Sequence, residues 1–275
     1  MHALDHAIIL VRDLALAARA YQRLGFTLTP RGGHPTLGTA NHTIVFEHDY
    51  LELLTVLSRA PSNERWAAGI DRGDGPGAMV INTPDADRTC RGLESRGVPA
   101  ERPIHFERPV ATDAGIEAAR FSAVLLPDEA TPAIPAFFCQ HHTPALVWRP
   151  PYQRHANTAR SVAGLTVMVD RPEDHLTAYE RLLGSARVHP RPGGITLSLG
   201  PTQVWLVERS YAESRLGRHL AGPDRPIGVT VGVGDLDTTR RLLAADAVPF
   251  APFGRRSILV EPTFAAGAFL EFLAV

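Results

Sequence analysis

The chain has 275 residues, 44% of them hydrophobic, with 28 basic against 29 acidic side chains and a formal net charge of −1 at pH 7. That length buries a sizeable core as one large domain or two ordinary ones, and the balanced charge, without a block of like sign, excludes an electrostatic footprint for nucleic acid or an anionic membrane. All 28 basic residues are arginine, so Schiff-base chemistry and a phosphate-loop lysine are excluded too.

The first element is the alternating, branched run LDHAIILV (residues 4–11), which predicts a strand. No cationic stretch precedes it and it is too short to span a bilayer, so neither a signal peptide nor a membrane anchor is expected and the protein is placed in the cytoplasm. Asp13 then caps a predicted helix whose apolar positions run Leu14, Ala17, Ala18, Tyr21 and Leu24, and Gly25 ends it. FTLTP, HTIVFEH and YLELLTV follow as three short strand candidates. The unit is βαβββ.

The same unit recurs three times. GAMVINTPDADRTCRGLESRGV (77–98), VAGLTVMVDRPEDHLTAYERLLG (162–184) and GVTVGVGDLDTTRRLLAADAV (228–248) each repeat strand and helix, with Asp85 matching Asp235 and Tyr21 matching Tyr179. Later strands are expected at ARFSAVLLP and PAFFCQ in the second copy. In the third they are expected at SARVHP, GITLSLG and TQVWLVERS, and in the fourth at RSILVEP and AFLEFLAV. The segments 62–77 and 211–226 join copies within each pair and are each expected to carry a short helix. The proline-rich stretch HHTPALVWRPPYQRHANTAR (141–160) separates the pairs. The expected organisation is therefore domain one over 1–145, a linker over 146–160 and domain two over 161–275. Cys90 and Cys139 are in no metal-like spacing and are read as buried thiols.

The paired βαβββ units, the pattern DHxxxxVxDLxxAxxxYxxLGF and the strand-final YLELL resemble the vicinal oxygen chelate superfamily of glyoxalases, extradiol dioxygenases and bleomycin-resistance proteins. Residues 33–52 and PAFFCQ are similar, more specifically, to its glyoxalase-like domain proteins. The resemblance implies an α+β fold of two vicinal-oxygen-chelate domains with cup-shaped mixed sheets. It implies a metal inside the cup, held by residues of the first and last strands of each unit. Inward-facing residues of neighbouring strands can converge on one ion, and carboxylate and imidazole suit zinc, nickel, manganese or iron.

On that template the first-strand positions are His6, Ala78, Gly164 and Gly228. The last-strand positions are Glu52, Gln140, an apolar residue between Val204 and Leu206, and Glu271. Domain one offers His6, Glu52 and Gln140 as metal ligands, with one corner empty at Ala78. Domain two offers only Glu271, so its site is expected to be lost, with Arg255 or Arg256 neutralising the carboxylate. Glu52, flanked by leucines, is costly to bury unless paired or on metal. The loop GGHPTLGTANH places His34, Thr39 and Asn41 near the mouth of the cup, where the resemblance implies substrate contact, with Glu52 and His34 as catalytic candidates. His141 is the best placed linker histidine for substrate contact, and Trp148 is read as packing between the domains or touching substrate.

GxSxG, GxGxxG and HExxH are absent, so serine hydrolase, dinucleotide cofactor and zincin readings fall away. Three function classes stay open. One is a metal-assisted lyase, isomerase or dioxygenase acting on a small oxygenated molecule, the second is a metal-free binding protein like the resistance proteins, and the third is a metal-free enzyme using Glu52 and His34 as an acid and base pair. A homodimer is compatible with each.

Overall fold

The computed structural model describes residues 3–113 and 115–275. In the first half, strand β1 (Leu4–Leu10) leads to helix α1 (Leu14–Arg23), then β2 (Gly32–His34), β3 (Thr39–Val45) and β4 (Tyr50–Val56). Helix α2 (Glu64–Asp71) connects to β5 (Gly75–Asn82), α3 (Ala86–Glu94), β6 (Ile104–Thr112), β7 (Gly115–Leu125) and β8 (Ala136–His141). The second half repeats this with β9 (Ala159–Val169), α4 (Leu176–Leu183), β10 (Val188–Arg191), β11 (Gly194–Leu199) and β12 (Thr202–Glu208). Its connecting helix α5 (Arg209–Leu216) precedes β13 (Arg225–Val233), α6 (Leu236–Ala245), β14 (Ala251–Pro252), β15 (Ser257–Val260) and β16 (Phe269–Ala274).

Each half is one eight-stranded mixed sheet, in the orders β2-β3-β4-β1-β5-β8-β7-β6 and β10-β11-β12-β9-β13-β16-β15-β14. Within a unit the first and last strands run parallel, as β1 beside β4 and β13 beside β16, and the two units of a half join through an antiparallel pair of first strands. This is the expected architecture of tandem βαβββ units, with a short helix in each connection.

Local chemistry explains the helix starts. Asp13, Asp85 and Asp235 each accept a hydrogen bond from a first-turn backbone N–H, which satisfies a donor that the helix leaves free. The third copy has no such cap. Pro172 opens a 3₁₀ turn there, and α4 starts only at Leu176.

Four strand readings differ from the structure. FTLTP has no strand pairing, the segment read as the loop GGHPTLGTANH holds β2, the two-residue β14 was not expected, and neither was a nine-residue strand, β6. It is an edge strand with a largely exposed outer face, so its apolar signal is weak.

One continuous core lies between the two sheets and includes Tyr21, Ile44, Phe138, Val167, Leu206 and Phe272, while two smaller clusters fill the concave faces. The matched tyrosines cross this core reciprocally: Tyr21 donates to the Ala265 carbonyl at 3.3 Å and Tyr179 to the Pro132 carbonyl at 2.6 Å. Both rings are fully buried, so the acceptors have no solvent in exchange. Tyr179→Phe is expected to cost about 1–2 kcal/mol in urea denaturation, and Tyr21→Phe, with the longer bond, less. The halves also meet at Gly267, whose φ is +82° and where a Cβ would lie 1.9 Å from the Asp74 carbonyl oxygen, so only glycine fits.

The linker is pinned to the first half. His155 accepts from the Thr27 N–H through Nδ1 and donates to the Val45 carbonyl through Nε2, while Asn157 donates to the Leu24 carbonyl and accepts from Ala159 N–H. Among the described residues no helix is long and apolar enough to cross a membrane.

Candidate active site in the first cup

The inward side chains of the first sheet surround a small cavity of about 70 Å³. Its polar lining comes from β1 (His6), the β2 to β3 hairpin (His34, Thr39, Asn41, Thr43), β4 (Tyr50, Glu52) and β6 (Arg108). Its apolar walls include Trp66, Phe106, Phe121 and Phe137. The edge strands β2 and β6 meet over it: a Cβ on Gly32 would lie 2.6 Å from Asn41 Oδ1 and 2.8 Å from an Arg108 guanidinium nitrogen. The open edges of the sheet thus close into a cup.

The geometry at its floor starts from a bulge in β1. The register against β5 shifts between Leu4 and His6, which lets the adjacent Asp5 and His6 interact. His6 Nδ1 lies 2.6 Å from Asp5 Oδ1, and its Nε2 lies 3.5 Å from Glu52 Oε2. The Asn41 amide donates to Glu52 Oε1 at 2.5 Å, and on the other side His141 Nε2 lies 3.0 Å from the Asp5 carboxylate. The result is a buried chain, His141–Asp5–His6–Glu52–Asn41, with Tyr50 stacked on the His6 ring at 4.2 Å.

Electrostatics within this chain are settled by proximity over burial. Burial alone would lower the His6 pKa, but hydrogen bonds from its ring to Asp5 and Glu52 outweigh it and push it up to about 9. Burial would raise Glu52, yet the hydrogen bond and charge of His6, with the Asn41 hydrogen bond adding, hold it at about 2. Asp5 likewise sits well below the usual carboxylate range, because its two histidines overcome its desolvation. His6 is therefore an imidazolium between two carboxylates in the protein by itself. Burial lowers His34 and keeps it neutral, with Nδ1 2.9 Å from the Thr39 hydroxyl. Burial also raises the Cys139 thiol well above its usual range.

Most of the expected site residues converge. His6, His34, Thr39, Asn41 and Glu52 all line the one cavity. Gln140 does not: its Oε1 accepts from Ala86 N–H at the start of α3. The strand register puts Phe137, not Gln140, at the position equivalent to Glu52, because Gln140 lies an odd number of residues away and faces the opposite side. His141 stands behind His6, on Asp5, rather than in the cavity lining. Trp148 does not pack between the domains; it covers His141 at 4.8 Å and Tyr50 at 5.9 Å between ring centroids. Asp5, Cys139 and His141 also cluster closely enough to be a metal-ligating group.

Sequence reading missed Asp5 and Arg108. Asp5 was visible as a second polar residue in an apolar strand, whereas Arg108 depended on recognising β6. Arg108 is only 6% exposed, lines the cavity and has no carboxylate at ion-pair distance among the described residues.

In the second half Gly164, Trp205, Gly228 and Glu271 occupy the positions of His6, Glu52, Ala78 and Phe137. Glu271 accepts from the Thr230 hydroxyl at 2.9 Å, and neither Arg255 nor Arg256 pairs with it among the described residues. Both arginines are exposed.

Two cup-shaped sheets of paired βαβββ units, with a first-strand histidine facing a last-strand glutamate, define a vicinal oxygen chelate protein. The sequence matches the profile of the glyoxalase-like domain over residues 4–183, and the chain belongs to that family. Its fold is shared by a hypothetical protein from Staphylococcus aureus, at 13% identity and a TM-score of 0.73 over the whole of both chains. It is also shared by a mutant of 4-hydroxymandelate synthase from Streptomyces coelicolor, at 13% identity and a TM-score of 0.59, covering 99% of this chain and 92% of that one. A fusion of a xylose isomerase-like TIM barrel with 4-hydroxyphenylpyruvate dioxygenase matches at 11% identity and a TM-score of 0.60, with 99% of this chain covering 48% of that one. No curated protein sequence matches the chain.

Proposed function

We propose that the protein is a glyoxalase-like enzyme whose first cup acts on a small oxygenated organic molecule with a divalent ion held by His6 and Glu52. The observation that carries this reading is the convergence of that pair, backed by Asp5, on the same closed cavity as the buried, unpaired Arg108.

The donor set fits a metal in part. Ligating histidines commonly give their second ring N–H to a carboxylate, and Asp5 stands in that place for His6. Asn41 Oδ1 is a buried acceptor with no donor among the described residues, so an amide oxygen is available as a third ligand. Ala78 and Phe137 supply nothing, which leaves the remaining positions to solvent and substrate, as an open catalytic site requires. Zinc, nickel, manganese or iron would polarise vicinal substrate oxygens as a Lewis acid there, in support of lyase, isomerase or dioxygenase chemistry.

The chain's own residues supply the rest. Arg108, the cavity's unpaired cation, orients an anionic oxygen. Neutral His34, held at Nδ1 by Thr39, moves a proton at its ring. Aromatic walls exclude water. The volume limits what reaches His6 and Glu52, since about 70 Å³ is well under the roughly 150 Å³ that holds benzene. The reacting part of the substrate is therefore a few atoms.

One observation favours a second reading, a metal-free binding protein: Asp5, His6, Glu52 and Asn41 already neutralise and bond one another. Metal content of the untagged protein, beside His6→Ala and Glu52→Gln, separates the two. One ion per chain in the wild type, lost in both variants, supports the enzyme. No ion after exposure to zinc, nickel, manganese and anaerobic ferrous iron overturns it and leaves the binding protein.

A further inference from the structure

Among the described residues no cluster of His, Cys, Asp and Glu side chains placed to hold a metal lies in the second cup, yet its cavity is the roomier one: about 240 Å³ against about 70 Å³ in the first. Its floor is opened by Gly164 and Gly228. A Cβ at either would come within 3.0 and 3.1 Å of a backbone oxygen on the neighbouring strand, so these positions hold no side chain that could fill the space. The walls are apolar, with Leu165, Val229, Phe253 and Phe269 among them. A cavity of about 150 Å³ suffices for benzene. This one takes a ring or branched chain with a short substituent.

Three polar features make it more than a void. Trp205, at the position of Glu52, lines the cavity, and its Nε1–H is buried with no acceptor among the described residues. A buried donor left unpaired is costly, so an arrangement that keeps one is suited to an incoming acceptor. The Arg215 guanidinium lies over the Trp205 ring at 5.6 Å and over Phe253 at 4.5 Å, and Arg191 stands at the same opening, 3.5 Å from the Thr196 hydroxyl. Neither arginine has a carboxylate at ion-pair distance among the described residues. Glu271 on the opposite wall is held by Thr230, so anionic charge is disfavoured deep in the cup and favoured at its arginine rim.

We propose that the second cup is a metal-free binding site for a small organic carboxylate with an apolar or aromatic body. The body fills the space left by the glycines. The carboxylate lies at the rim, where its two oxygens take hydrogen bonds from the Arg215 guanidinium and the Trp205 indole N–H, with Arg191 adding charge. This site is independent of the reaction in the first cup and of any metal there.

The indole N–H resonances test it directly, since the chain has three tryptophans, Trp66, Trp148 and Trp205, and Trp205→Phe identifies the third. The full chain is titrated with 3-phenylpropionate, hexanoate and indole-3-acetate, and with the amide of each. At least one acid is expected to shift the Trp205 signal saturably while Trp66 and Trp148 stay in place. Its amide should bind at least tenfold more weakly, and Arg215→Ala should weaken the acid by a similar factor with the other two indole signals unchanged. The proposal is overturned if no acid shifts Trp205, if acid and amide bind alike, or if Arg215→Ala leaves the affinity unaltered.

Discussion

Replacing Asp5 with alanine is expected to destabilise the protein by about 3–5 kcal/mol, the cost of removing one partner from a buried charged network. Asp5 is 1% exposed and is shared by three side chains: His6 Nδ1 at 2.6 Å, His141 Nε2 at 3.0 Å and the Asn82 amide at 3.3 Å. Alanine leaves these donors without an acceptor, and solvent cannot replace it. The hydrogen bond and charge of Asp5 that, with Glu52, hold the His6 proton are lost too, so the His6 pKa falls and Glu52 keeps a weaker cationic neighbour. Asp5→Asn keeps the shape and one acceptor oxygen and should cost less. An internal control is Asp71→Ala. Asp71 pairs with Arg59, but both side chains are more than half exposed, so this change should cost under about 1 kcal/mol. Urea denaturation of the three variants checks the order. Equal effects of Asp5→Ala and Asp71→Ala would mean that the first cup tolerates two uncompensated histidines.

The reach of sequence reading divides along physical lines. Repetition was legible because each copy writes the same hydrophobic periods and three of the four helices carry an aspartate cap, and these local signals fix strand, helix and order. His6 and Glu52 were legible as costly polar residues inside apolar strands. Gln140 misled because a position just after PAFFC looks like the end of a strand, whereas the parallel register with β5 sets which residue faces the cup, and parity put Phe137 there. Arg108 was invisible for a different reason. Its strand closes the sheet at an edge, so alternation is diluted by exposed polar side chains, and only three-dimensional closure against Gly32 brings it over the cavity. In the second half the glycines at 164 and 228 showed that those strand positions put no side chain into the cup. What they could not signal was the space that absence creates, because volume is a property of the packed sheet.

Asp49→Asn is expected to cost about 1 kcal/mol near pH 4 and to stabilise the protein at alkaline pH by about 3 kcal/mol. Asp49 lies in the turn before β4, is 4% exposed and accepts from the Val162 N–H of β9 at 2.9 Å, so it ties the first sheet to the second. Burial pushes its pKa up to about 7; the Val162 hydrogen bond opposes this and the nearby Asp5 charge adds to it. The unfolded chain ionises this carboxyl near its ordinary value of 3.8 and the folded chain only near 7. Below 3.8 both states are protonated and the group exerts no pH-dependent effect. Between 3.8 and 7 the unfolded state releases its proton first, so stability falls by about 1.4 kcal/mol per pH unit, and above 7 the loss is complete. Asparagine keeps an acceptor for Val162 and removes the ionisation, at the smaller cost, about 1 kcal/mol, of housing an extra N–H. Other carboxylates give the opposite slope through acid denaturation, so the informative quantity is the difference between variant and wild type in urea midpoint from pH 4 to pH 8. A difference that grows with pH establishes that a neutral Asp49 joins the two sheets. A constant difference would mean that Asp49 is ionised throughout and that the interface already compensates its charge.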